Sequence, residues 1–153
     1  MANNYIQGAS LVPASSLAPG GAQAACDILQ HIHDEYVKEG ELEGELEYCE
    51  PSSLELAATD KGDLYIASGD EYFCLNSFMY VVKKLAEQQL ILESFGIEVA
   101  HYCSKLRPFE FGGSYFRAMP DGSVITVLTD VIYDLPDDKL LALGESNFIY
   151  KYD

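Results

Sequence analysis

The sequence predicts an α+β fold in one domain, residues 1–153, on three observations. Two segments repeat apolar residues at helical spacing, several shorter ones alternate or are rich in β-formers, and the order runs strand, helix, strand, strand, helix, strand. A chain of 153 residues with 48% hydrophobic side chains can bury roughly 68–70% of its unfolded surface without a disulfide or a metal.

Tyr5 to Val12 reads as the first strand, ended by Pro13 and the loop A-S-S-L-A-P-G-G. From Ala22 to Lys38 the set Ala25, Ile28, Leu29, Ile32 and Tyr36 predicts a helix capped at Gly40. Leu42 to Tyr48 alternates and reads as a strand until Pro51, and Leu54 to Ala58 and Leu64 to Ser68 form a hairpin through D-K-G-D. Tyr72 to Ser94 is the strongest helical pattern, with Leu75, Phe78, Met79, Val82, Leu85, Ala86 and Leu90 as its stripe and Gly96 closing it. Its acidic start suits the helix dipole. Ile97 to Cys103, Ser114 to Met119 and Val124 to Tyr133 are strand-like, the last two joined by the turn P-D-G-S. In the tail, Leu140 to Leu143 fits a helical turn and Asn147 to Tyr152 a short edge strand. This order fits the split β-α-β, ferredoxin-like sandwich: a mainly antiparallel sheet with two helices on one face and extra C-terminal strands.

The formal charge is −16, and residues 34–71 hold thirteen acids and two lysines, a net −11. Direct nucleic-acid binding and anionic membranes are disfavoured, because the nine Lys and Arg form no basic patch. Cys26, Cys49, Cys74 and Cys103 match no zinc spacing and follow no secretory signal, so they are expected reduced, in the cytoplasm. No apolar run approaches the roughly 18 residues of a membrane span.

Most of the excess charge thus lies in 34–71, which contains E-G-E-L-E-G-E-L-E-Y, with Glu39, Glu41, Glu43, Glu45 and Glu47 at every second position and Glu50 just beyond. On a strand these side chains share one face about 6–7 Å apart. On a helix, Glu39, Glu43 and Glu47 would repel, and Gly40 and Gly44 would each cost about 1 kcal/mol. The extended reading is therefore preferred. Two functions compete for it: a solvated edge that prevents sheet aggregation, and a carboxylate row that imitates phosphates and docks in a basic groove of a nucleic-acid-binding protein. The D-x-D-x-D-G order of a calcium loop is absent.

Other chemistry is sparse. Cys26 and His33, or His31 and Glu35, share helical spacing but lack a full ligand set, and His101 with Cys103 is only a pair. No phosphate loop, dinucleotide fingerprint, nucleophile elbow or zinc-protease motif occurs. Tyr102, Tyr115, Tyr133, Tyr150 and Tyr152 lack interleaved cations for base stacking and suit sheet faces or protein interfaces. The expectation is a non-enzyme with no cofactor and no metal.

The least generic stretch is Phe95 to Tyr115. Cys103, Ser104, Lys105, Arg107, Glu110, Phe111, Gly112 and Gly113 follow a strand in a pattern that resembles C-S-K-x-R-x-x-E-F-G-G-G, found in an uncharacterised family of small phage and mobile-element proteins. Leu106 stands in place of Pro and Ser114 in place of a third Gly, and the resemblance covers about a third of the chain. Physically, Gly112 and Gly113 permit a bulge and Glu110 can pair with Lys105 or Arg107, making a structural clasp or a secondary contact loop.

The resemblance implies a mobile-element origin, for which inhibition of host defence, of the anti-CRISPR or anti-restriction type, is a common task. The expected partner is then a basic, nucleic-acid-binding host protein, engaged through Glu39 to Glu50 in the host cytoplasm. The alternative is an interaction module, self-assembling as a homo-oligomer, whose acidity maintains solubility.

Overall fold

The computed structural model describes residues 4–69, 72–103, 112–128, 136–139 and 142. Its elements are β1 (Asn4–Val12), α1 (Gly21–Glu39), β2 (Leu54–Ala58), β3 (Leu64–Ser68), α2 (Leu75–Glu87), β4 (Phe95–Cys103), β5 (Gly112–Ala118) and β6 (Val124–Leu128). The strands form one antiparallel sheet in the order β2-β3-β1-β4-β5-β6. The fold class is α+β, as the alternation of patterns predicts.

Period-two alternation sorts the sheet into two faces. On one, Leu54, Leu64, Ile66, Val12, Phe95, Ile97, Val99, Phe116 and Ala118 are buried. Against them pack Ala22, Ala25, Leu29 and Ile32 of α1 and Phe78, Val81, Val82 and Leu85 of α2, in one core. Both helices therefore cover the same face. At its centre Phe73 stacks on Phe116 at 5.5 Å and lies 5.6 Å from Phe78, which meets Phe95 edge-on at 6.4 Å.

The first helix ends as its glycine predicts: Gly40 takes φ +75° and its N–H donates to the Tyr36 carbonyl at 2.9 Å. The hairpin strands Leu54–Ala58 and Leu64–Ser68 have the predicted bounds. Its turn closes through Thr59 N–H to Asp63 O at 2.9 Å with Gly62 at φ +87°.

Three expectations need correction. Leu42 to Tyr48 is not a strand: Glu43 is extended, Gly44 turns to φ +66°, and Gly44–Leu46 is a single 3₁₀ turn. The second helix is shorter than Tyr72 to Ser94. It starts after Cys74, whose thiol accepts the Ser77 N–H at 3.4 Å in the role usually filled by Ser or Asp. It stops because Gln89 adopts φ +57° and Leu90 N–H turns back to Leu85 O at 3.0 Å. Gly96 is therefore no cap but part of β4. Third, pairing of β4 with β5 runs in constant register through Gly112 and Gly113, opposite His101 and Ala100, so no bulge forms there.

The P-D-G-S turn is present, with Met119 N–H bonded to Ser123 O at 2.9 Å and Gly122 at φ +91°. Residues 129–133 of the last predicted strand, Leu140, Leu141 and Leu143 of the predicted helical turn and the strand at Asn147 to Tyr152 lie outside the described residues; 137–139 and 142 have helical backbone. Among the described residues no helix is long and apolar enough to cross a membrane.

Candidate functional site

The acidic segment leaves the C-terminal end of α1 and is fastened by its own backbone. Leu46 N–H reaches Glu43 O at 3.2 Å, Cys49 N–H reaches Leu46 O at 2.9 Å, and Glu50 N–H reaches the buried Ser77 hydroxyl at 3.0 Å. Leu42 and Leu46 pack half-buried against the core, and Cys49 is buried. The segment is thus a folded turn on the helical side of the sheet, not an extended row.

This geometry divides the predicted glutamates. Glu39, Glu41 and Glu43 gather with Glu35 around a concavity of about 340 Å³ floored by Leu42 and Leu46. Glu45 points the other way, onto α2, where Lys83 Nζ stands at 3.2 Å and Lys84 Nζ at 3.4 Å. Glu47 and Glu50 are exposed outside that concavity. Helical spacing from Glu39 would have identified Glu35, four residues earlier on the same face.

The concavity is electrostatically unfavourable to the protein alone. Glu35 and Glu39 are like charges at i and i+4, and both sit at the negative end of the helix dipole. Among the described residues its ion pair is a loose one, Lys38 to Glu39 at 3.9 Å. Among the described residues Glu35, Glu41 and Glu43 form no ion pair. A cationic side chain from outside would relieve this repulsion.

Glu45 behaves differently. The hydrogen bond from Lys83, then the charges of Lys83 and Lys84, hold its carboxyl below the usual glutamate range. Lys84 is pushed up, first by its hydrogen bond to Glu87. Because the folded state depresses Glu45, the pair's contribution is present at neutral pH and disappears as pH falls through the acid side of that range. Glu45 and Lys83 are exposed side chains, so the pair's effect on stability is small. In an NMR titration Lys83→Ala should move the Glu45 midpoint upward; an unchanged midpoint would show that the pair does not form in solution.

The other candidates separate as well. Lys105, Arg107 and Glu110 lie outside the described residues, and Gly112 and Gly113 are ordinary β5 positions. His101 Nε2 is 3.0 Å from the buried Ser114 hydroxyl; the Cys103 side chain is outside the described residues. Cys26 and His33 line a concavity of about 430 Å³ beside β2. Burial pushes the Cys26 thiol up, with the Ala58 backbone opposing it, which is the reverse of an activated nucleophile. Among the described residues no three His, Cys, Asp or Glu side chains converge to hold a metal.

No protein-family model, curated protein or solved structure matches the chain.

Proposed function

We propose that the protein is a non-enzymatic binder that docks its acidic turn on a basic, nucleic-acid-handling protein and blocks it. The observation that carries this reading is the clustering of Glu35, Glu39, Glu41 and Glu43 around one concavity where, among the described residues, the single ion pair is the loose one from Lys38 to Glu39 at 3.9 Å. Recognition rests on charge density, since the glutamates no longer have the even spacing of a phosphate row. The resemblance of the Cys103 to Gly113 motif to phage proteins supports placing the target among host defences of the anti-CRISPR or anti-restriction type, in the host cytoplasm. A ferredoxin-like unit made by β1 to β4 and the two helices, extended by β5 and β6, serves as the platform; the order β2-β3-β1-β4 supports that reading.

The test is an affinity pull-down from host lysate at increasing salt. The wild type should recover a DNA-binding nuclease in a salt-sensitive complex, and Glu35→Gln, Glu39→Gln, Glu41→Gln and Glu43→Gln together should abolish recovery. Equal recovery by the quadruple variant would leave the acidity as a solubility device.

A further inference from the structure

The sheet face opposite the helices is unlike the rest of this acidic molecule. Its described positions carry three charges, Glu55, Glu98 and Arg117, a net −1 on a chain of −16. Four of its apolar side chains are well exposed: Leu11 at 58%, Tyr65 at 41%, and Ile125 and Val127 at 49% each. Ala9, Ala57 and Ala100 lie exposed between the larger ones. Part of this surface is held in place: Tyr115 lies across Gly96 so closely that a Cβ there would meet its ring, and Arg117 donates to the Tyr115 hydroxyl at 3.1 Å. Monomers rarely expose a continuous apolar patch of more than a few hundred Å².

We infer that this face is the interface with a second copy of the chain, the two sheets stacked face to face about a two-fold axis. Charge selects the occupant. Among the described residues the acidic excess gathers in α1, the 39–50 turn and the loop at 59–63, which would repel a copy, whereas this face is nearly neutral. A nucleic acid is a poor fit for a face with one arginine and two glutamates. Area also suffices. Six strands about 4.8 Å apart and about 17–30 Å long give on the order of 600–800 Å² per copy, the size of a standard specific interface.

Complementarity follows from the strand order. A two-fold axis along the strands, through the middle of the sheet, lays β5 of one copy over β3 of the other. Arg117, the cation of this face, then comes within reach of Tyr65 and Glu55 on the opposite flank of its counterpart, where stacking and charge both favour it. Ile125 meets Ala57, and Val127 lies over the Glu55 side chain at the edge of β2. The acidic turn, on the helical side, stays outward in both copies, so the dimer presents two docking sites.

Light scattering on the full-length chain at about 100 µM, above the dissociation constants of most standard interfaces, should give twice the 16.9 kDa chain mass. Leu11→Lys with Tyr65→Lys should raise the dimer dissociation constant by more than about tenfold, because lysines there would be buried unpaired, the second of them against Arg117 of the other copy. Circular dichroism verifies that the variant is folded; if it is not, Tyr65→Lys with Ile125→Lys replaces it. High salt should leave the dimer intact, unlike the acidic docking. A monomeric wild type, or a folded face variant that remains dimeric, overturns the inference.

Discussion

Phe78→Ala should destabilise the fold by about 3–5 kcal/mol, a large part of the roughly 5–15 kcal/mol that holds a domain together. Phe78 is 2% exposed and joins Phe73 to Phe95, linking α2 to the sheet. Truncation removes buried apolar surface and leaves a cavity between ring systems that are themselves fixed, so little collapse can compensate. At this chain length the melting temperature should fall by about 10 °C. Urea unfolding provides the measurement, with midpoint lowered and slope unchanged. Phe78→Leu should cost clearly less, since its cavity is smaller; equal costs would mean that the aromatic cluster is not the centre of the core.

Gly8→Ala is expected to be nearly as harmful, although it adds only one methyl. Gly8 lies in β1 between two other strands, and a Cβ there would overlap the Glu98 carbonyl oxygen and come 2.9 Å from Val99 Cα. Both obstacles are backbone and cannot rotate away. The pairing of β1 with β4 must shift, which endangers the bond from Gly8 N–H to the Ser68 hydroxyl at 3.1 Å as well. The cost should reach about 3 kcal/mol, at the top of the overpacking range. Gly40→Ala is the contrast: φ is +75° but nothing lies within 4 Å, so only conformational strain of about 1 kcal/mol applies. A Gly8 variant no worse than the Gly40 variant would refute the steric account.

The parts of the fold legible in the sequence were those fixed by neighbours. The Leu54 to Ser68 hairpin needs only alternation and a turn at Gly62, and α1 needs only its stripe and Gly40. The glutamate row was misread because its shape depends on distant residues: Lys83 and Lys84 draw Glu45 onto α2, and Ser77 holds Glu50. The end of α2 was hidden for another reason. Gln89 performs the left-handed turn that sequence rules assign to glycine. The open sheet face was also illegible, since Tyr65 and Leu11 at its surface are no less apolar than Leu64 and Val12 beneath. Of the candidate site, the acidic concentration was plain from composition; which carboxylates converge was not.

The central place of β1 has a consequence for synthesis. Asn4 pairs with Cys103 and Val12 with Leu64, so this strand has both neighbours far downstream. At ordinary translation speeds the β4 partner emerges about 5–20 s after β1. Such non-local pairing makes folding slow, and the nascent chain must carry an apolar, unpaired strand through that interval.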